Sequence, residues 1–141
     1  MQRFTTALAM IWASPYTLLG LLLGGAGLVT GGKVRRRGRT IEFHGGFVQW
    51  FVAHLPTGKQ TNAITFGHTI LGQTANSLDR VRNHELVHVR QYECWGPLFG
   101  VAYLGASAVL WLQGRDAYRD NPFEVEAYAC DEAENDDRSA F

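Results

Sequence analysis

Two histidines four residues apart, with a glutamate between them, are the residues of this sequence best suited to chemistry. They stand in His84-Glu85-Leu86-Val87-His88. On a helix, residues four apart lie one turn up the same face, so both imidazoles can reach one tetrahedral metal ion. Glu85 then lies beside the first histidine, where a carboxylate can take a proton from a metal-bound water. The spacing therefore predicts a zinc site with His84 and His88 as ligands and Glu85 as the general base.

A catalytic zinc needs a third protein ligand, and three candidates follow the histidines. Cys94 lies about 9 Å up the helix from His88 and is rotated off its face, so it cannot close the site. Glu124 and Glu126 stand further along the chain. Because residues two apart on a helix are about 200° apart, only one of them can ligate. Glu124 also fits a capping box with Asn121, in which its carboxylate would bind the N-cap amide instead.

Three helices must bring these residues together. The first begins near residue 77 or 79 and ends at Trp95, where Gly96-Pro97 stops it. The second, Leu98–Leu112, is apolar all round and must be buried in protein or in lipid. The third opens at Asn121-Pro122, with the asparagine as N-cap and the proline at the first helical position.

Residues 40–72 are rich in β-branched and aromatic side chains and predict strands. Thr40–His44 and Phe47–Val52 flank Gly45-Gly46, which predicts a hairpin. Ala63–Leu71 predicts one further strand, with His68 on the same face as Ile70. We expect an α+β fold whose small, mainly antiparallel sheet of about three strands precedes the three helices.

The first 32 residues are interpreted as a membrane anchor. From Ala7 to Val29 the chain is largely apolar and carries no charge, and about 23 helical residues rise about 34 Å, enough to cross a bilayer core of about 30 Å. Two alternatives are a cleaved signal peptide and a buried hairpin of two short helices broken near Ser14-Pro15. The basic block Lys33–Arg39 favours a cytoplasmic location for the residues after the anchor, and it also suits contact with lipid headgroups.

The metal site constrains the topology of the second apolar segment. If Leu98–Leu112 crossed the bilayer once, Glu124 would lie on the opposite side of the membrane from His84 and His88. We therefore expect this helix to pack against the first helix and the anchor, partly sunk in the membrane surface.

Chain length, net charge and cysteine content limit the number of domains and the class of protein. The 141 residues predict one domain, residues 33–141, after the anchor, with a frayed and solvated acidic tail over about residues 131–141. The formal net charge of zero gives no sign of a nucleic-acid partner. Cys94 and Cys130 cannot form a disulfide framework and are interpreted as partly buried thiols.

The strand and the first helix together resemble minimal glutamate-zincin domains, the gluzincin-type modules found in bacteria. In those modules a T-x-G-x-x-I strand leads into HEL-x-HV-x-Q, and here Thr65–Ile70 leads into His84–Gln91. The segment Glu124-Val125-Glu126-Ala127-Tyr128 resembles the E-x-x-A-D pattern of membrane-anchored CAAX-processing and heat-shock peptidases. The resemblance covers about residues 63–129. It implies Glu124 as the third ligand, and it places Tyr128 where those families have an aspartate that supports the first histidine.

The resemblance implies a zinc metallopeptidase. Together with the apolar segment and the basic block, it predicts an enzyme of the bacterial inner membrane whose site faces the cytoplasm. Its substrate would be a peptide or a membrane-proximal protein, bound as an added strand along Thr65–Ile70. Gln91, Tyr128 and His68 would surround the ligands, and Tyr118, Tyr128 or His68 would assist the oxyanion. The alternative is a non-catalytic membrane module with a structural metal, or an inactive zincin that acts in assembly.

Overall fold

A computed structural model describes the backbone of residues 2–57 and 61–139 and the side chains of residues 7–57 and 61–133. The protein has the predicted α+β architecture, with four strands instead of about three and with additional helices. The helices are α1 (Gln2–Trp12), α2 (Ser14–Val29), α3 (Gly46–Ala53), α4 (Ala75–Trp95), α5 (Phe99–Leu112) and α6 (Pro122–Ser139). The strands are β1 (Lys33–Arg37), β2 (Thr40–His44), β3 (Ala63–Phe66) and β4 (Thr69–Gly72).

The sheet is mixed rather than mainly antiparallel. Its order is β1-β2-β4-β3; two antiparallel hairpins, β1 with β2 and β3 with β4, are joined by a parallel pairing of β2 with β4. Helices α2 and α3 pack on one face, where Phe43 and Leu71 are buried, and α4 packs on the other face over Ile70. The sheet therefore supports the helix that carries both histidines.

The predicted strand Phe47–Val52 is wrong, because these residues form α3. Val48 and Val52 lie four residues apart and are each 1% exposed, so the segment buries a helical face. Gly45 and Gly46 have φ of 78° and 53° and reverse the chain as expected, but they lead into a helix. The place beside β2 that a hairpin strand would take is occupied by β4.

The single strand predicted over Ala63–Leu71 is also wrong, because it is a hairpin. Gly67 has φ of 59° and, with His68, forms the turn between β3 and β4. The basic block, which the sequence linked to membrane topology and lipid headgroups, forms the edge strand β1, where Arg35 binds Glu42 of β2. Charged side chains are common on edge strands because they discourage pairing with another chain.

The N-terminal apolar segment is divided into α1 and α2 at Ala13, beside the Ser14-Pro15 break that one alternative anticipated. Three glycines of α2, Gly20, Gly24 and Gly27, are buried against the sheet and α3. The absence of side chains at these positions lets the helix approach Phe43 and Val48 closely. One face of α2 thus belongs to the core, while Leu18 and Leu22 on other sides are exposed.

Among the described residues, one helical stretch, Ala75–Leu112, is long and apolar enough to cross a membrane by length and composition. Gly96, with φ of 54°, interrupts it between α4 and α5. At about 1.5 Å per residue, α5 by itself is about 21 Å long and falls short of a bilayer core of about 30 Å. After α5 the chain returns to α4 through α6, which packs against α4.

The acidic tail does not fray at residue 131, because α6 continues to Ser139. Glutamate and alanine favour helix and carry the chain through this charged segment. The side chains from residue 134 onward, like residues 58–60, lie outside the described residues.

We predict that Gly24→Ala destabilises the fold, because the new Cβ would overlap the buried Phe43 ring. The free energy of unfolding should fall by about 1–3 kcal/mol, as expected for overpacking. Gly25→Ala is the matched control in the same helix, since its Cβ would meet nothing within 4 Å; it should leave stability unchanged or raise it by up to about 1 kcal/mol. Denaturant unfolding followed by circular dichroism measures both, and equal losses would show that α2 does not pack on the sheet.

Candidate metal centre

Helix α4 places His84 and His88 on one buried face. The helix starts at Thr74, whose Oγ1 accepts a hydrogen bond from the Ser77 amide, and ends at Gly96 as predicted. The two imidazole Nε2 atoms lie 3.2 Å apart, and the two residues are 6% and 7% exposed. Two buried nitrogens that point at the same space need a cation or a proton between them.

Helix α6 brings Glu124 to the same space. Asn121 caps this helix, because its Oδ1 accepts a hydrogen bond from the Phe123 amide, and Pro122 is the first helical residue, both as predicted. The Asn121 amide donates to the Tyr118 carbonyl instead of the Glu124 side chain, so the capping box is not formed. The Glu124 carboxylate instead lies 3.1 Å from His84 Nε2 and 3.5 Å from His88 Nε2.

The spacing of these three groups fits a tetrahedral zinc ion. Donor atoms about 2.0–2.1 Å from zinc at the corners of a tetrahedron are about 3.3–3.4 Å apart. His84 Nε2 lies 3.2 Å from His88 Nε2 and 3.1 Å from Glu124 Oε2, and His88 Nε2 lies 3.5 Å from the other carboxylate oxygen, Oε1. One donor atom of each residue lies within 4.8 Å of the other two, so the three groups can reach one ion. Two imidazoles and one carboxylate also form a ligand set that catalytic zinc uses. The residues present therefore fit the metal.

A hydrogen-bond chain sets the tautomer of His88. The Gln91 side-chain nitrogen donates to the Phe123 carbonyl, 3.0 Å away, and to Glu126 Oε2, 2.8 Å away. Because a carbonyl can only accept, the amide oxygen of Gln91 must face His88 Nδ1, 2.8 Å away. Nδ1 therefore carries a proton, and when the ring is neutral the lone pair is on Nε2, the nitrogen that faces the site. Glu126, the alternative ligand, contacts Gln91 in this arrangement, and Gln91 supports His88.

His84 is supported from α6 by two side chains one and two turns beyond Glu124. The Tyr128 ring lies against the imidazole with centroids 4.7 Å apart. Asp131 Oδ2 lies 3.3 Å from His84 Nδ1, within ion-pair distance but off the N–H direction needed for a hydrogen bond. Tyr128 thus does not replace the aspartate of the E-x-x-A-D pattern, but Asp131 puts a carboxylate on the same histidine. The seven-residue spacing from Glu124 is the sequence signal that could have identified Asp131.

Helix α5 contributes one contact that the sequence did not suggest. The Tyr103 hydroxyl donates a hydrogen bond of 2.6 Å to Glu124 Oε1. This contact connects α5 to the carboxylate and so ties the apolar helix to the site. No motif marks Tyr103, because its role depends on where α5 lies.

The proposed base, Glu85, lies between the metal centre and the sheet. It is 5% exposed, and Thr65 Oγ1 of β3 donates a hydrogen bond of 2.7 Å to its Oε2. Both Glu85 and His84 line a cleft of about 770 Å³, together with Tyr118 and Tyr128. A ligand entering the cleft would therefore meet the base, one histidine and two phenols.

The ionisable groups of the site shift one another's pKa values because they lie close together and are buried. Burial lowers the pKa of His88, but its hydrogen bond to Glu124 and the charges of Glu85 and Glu124 outweigh that effect and raise it to about 9. Burial raises the pKa of Glu124, but hydrogen bonds from both histidines outweigh this and lower it to about 2. Burial raises the pKa of Glu85 above its usual range, which brings a carboxylate closer to the pKa that suits a general base.

The remaining predicted residues lie elsewhere. His68, predicted to lie near the ligands, sits in the β3–β4 turn with its Nε2 2.9 Å from Glu93. Glu93 follows His84 by nine residues, about 180° around α4, so His68 contacts the opposite face of that helix. Cys94 and Cys130 are free and exposed, so their predicted partial burial is wrong.

Comparison with models of protein families, with curated proteins and with solved structures found no match for this chain. What the site can do therefore follows from its own residues.

We predict that the purified protein binds one zinc ion per chain and that Glu124→Ala loses it on dialysis. Glu126→Ala should keep the ion with an affinity lowered by about tenfold, because this residue acts on His88 only through Gln91. Metal analysis with competitive chelator titration measures both effects. Equal zinc retention in wild type and both variants would disprove the ligand assignment.

Proposed function

We propose that this protein is a zinc-dependent metallopeptidase of the glutamate-zincin type. The observation that supports it most is the meeting of His84, His88 and Glu124 with a buried glutamate, Glu85, at the edge of an open cleft. A structural metal site is usually closed by four protein ligands, whereas three ligands beside a cleft leave a position for water.

The zinc ion would lower the pKa of a bound water toward about 7 and polarise the substrate carbonyl. Glu85 accepts the proton of the attacking water and passes it to the leaving amine. Thr65 holds one oxygen of the Glu85 carboxylate and so orients the other. Tyr118 and Tyr128 line the cleft, where a phenol can donate a hydrogen bond to the developing oxyanion.

Strand β3 is suited to hold an extended peptide. It pairs with β4 on one side and stands last in the sheet order of the described strands. Thr61, Asn62 and Ala63, at and before its start, line the cleft beside Glu85. A peptide that adds to this edge by backbone hydrogen bonds would pass along the cleft. The substrate class is therefore an extended peptide or an unfolded segment of a protein.

We predict that Glu85→Gln abolishes peptide hydrolysis while the zinc content stays at one ion per chain. Loss of a general base costs about 10²- to 10⁴-fold in rate. Cleavage of a peptide library, followed by mass spectrometry, gives the rate, and metal analysis gives the zinc content. Glu132→Gln, an exposed position on α6, is the control and should cleave like wild type. If Glu85→Gln cleaves as fast as wild type, or if wild type cleaves nothing while holding zinc, the metal is structural.

We also infer attachment to a membrane through one apolar surface, called here the apolar face: the exposed sides of α1, α2 and α5. Leu22, Val101 and Leu104 are each about 70% exposed or a little more. The three helices meet where the Tyr16 hydroxyl donates to the Pro97 carbonyl and where Trp12 packs on Gly96. Exposing this much apolar surface to water costs free energy unless lipid or another apolar surface covers it.

Lipid is the occupant that the chemistry of the apolar face favours. Residues 4–32 and 96–114 contain no charged side chain, whereas protein interfaces usually have a polar and charged rim. Because the glycine side of α2 packs on the sheet, lipid can surround only part of that helix. The arrangement supports helices lying in the membrane surface, with α4 and the site on the water side.

We predict that the protein floats with vesicles of phosphatidylcholine, a lipid without net charge. Val101→Glu combined with Leu104→Glu should reduce the bound fraction by about tenfold or more, because two exposed apolar side chains would no longer enter lipid. Val125→Glu is the matched control, since Val125 is an exposed apolar residue of α6. Equal flotation of all three proteins would exclude the apolar face as the attachment surface.

A further inference from the structure

A second pocket lies on the side of α4 that faces β1 and β2. Its volume is about 230 Å³, and four arginines line it without any acidic residue: Arg37, Arg39, Arg82 and Arg90. Leu86 and Val89 are among its remaining lining residues. We call it the arginine pocket. It is separate from the metal centre, since the two pockets share no lining residue.

Three of the four arginines form ion pairs with carboxylates that are not part of the pocket lining. Arg82 binds Glu42, a strand residue only 1% exposed. Arg39 lies 2.9 Å from Glu93, and Arg37 lies 3.5 Å from Asp79. These pairs hold long, flexible side chains in place, which lowers the entropy cost of arranging them around a ligand.

The acids do not neutralise the arginines, because two of the three acids are each shared by two arginines. Glu42 accepts Arg35 as well as Arg82, and Asp79 also accepts Arg35. Among the described side chains no acid pairs with Arg90, which is exposed at the mouth of the pocket. Five guanidinium groups therefore meet three carboxylates, and the pocket keeps a positive field.

We propose that the arginine pocket binds a phosphate group. Several guanidinium forks around a small pocket suit a dianion with acceptor oxygens in several directions, and arginine binds phosphate through paired N–H donors. A single exposed ion pair would contribute little, but convergent and fixed donors contribute more than their separate values. The chemical class is a phosphomonoester or inorganic phosphate.

Two sources can supply this group, and the position of the pocket makes a lipid headgroup one of them. Arg90 stands six residues before Gly96, about 9 Å along a helix. Gly96 packs against Trp12, which belongs to the apolar face. The headgroup layer extends about 5–8 Å beyond the hydrocarbon of a bilayer. A phosphatidic acid headgroup at the membrane surface would thus lie near Arg90, while a free phosphate would reach it from water.

The test compares Arg90→Gln with Arg36→Gln in the full-length protein. Arg36 is a neighbouring exposed arginine of β1 that does not line the pocket, so both variants lose one charge from the same region. Inorganic phosphate is titrated by calorimetry, and vesicle binding is measured with phosphatidylcholine alone and with added phosphatidic acid. Circular dichroism checks that both variants are folded.

Arg90→Gln should weaken phosphate binding, or the extra binding given by phosphatidic acid, by about tenfold or more, whereas Arg36→Gln should not. If Arg90→Gln weakens the binding of inorganic phosphate in calorimetry, the ligand is a free phosphate. If it weakens only the binding to vesicles with phosphatidic acid, the ligand is the lipid headgroup. Equal losses in both variants, or no binding of either probe by wild type, would overturn the proposal. Zinc content and peptide cleavage are independent readouts, so failure here is distinguishable from failure of the metallopeptidase proposal.

Discussion

The buried carboxylate of Glu124 between two histidines is the interaction on which the arrangement of this protein depends. An ionised carboxylate with 3% exposure is tolerated only when charge and hydrogen bonds compensate its lost hydration. His84, His88 and Tyr103 supply that compensation from α4 and α5. Since Glu124 follows the histidines by about 40 residues, the whole segment from Gly96 to Asn121 must turn back on α4 for the contact to form. The path of the chain after Gly96 therefore depends on the contact of Glu124 with the two histidines.

Helix α4 separates two regions of different chemistry. One face presents His84, His88 and Gln91 to α6, and the opposite face presents Arg82, Arg90 and Glu93 to the β1–β2 hairpin. The sheet fixes both, because Thr65 of β3 holds Glu85 while Glu42 of β2 holds Arg82. A shift of α4 against the sheet would disturb both regions together. This shared support explains why two strands each hold a charged side chain of α4: β3 holds Glu85 and β2 holds Arg82.

Helices α2 and α5 each pack one side against the rest of the protein and expose their other sides. The glycines of α2 allow close contact with Phe43 and Val48, and the Phe99 and Tyr103 side of α5 packs near the metal centre. The other sides of both helices carry exposed leucine, valine and tryptophan. Hydropathy alone cannot distinguish such a helix from a membrane span, because it averages over all faces. The contacts of one face of α2 with the sheet appear only in the tertiary structure.

Elements with local signals could be predicted from the amino-acid sequence. The HExxH spacing predicted two histidines on one helical face, Gly96-Pro97 predicted the end of α4, and Asn121-Pro122 predicted the start of α6. Strand pairing was decided only by tertiary structure: Phe47–Val52 fits a strand or a helix, and it became α3 because β4 pairs with β2. The sequence likewise did not predict the contacts of Tyr103 and Asp131 with the candidate ligands, since these contacts depend on the packing of α5 and α6 on α4. Local spacing fixes which residues share a face, but only long-range packing decides what that face meets.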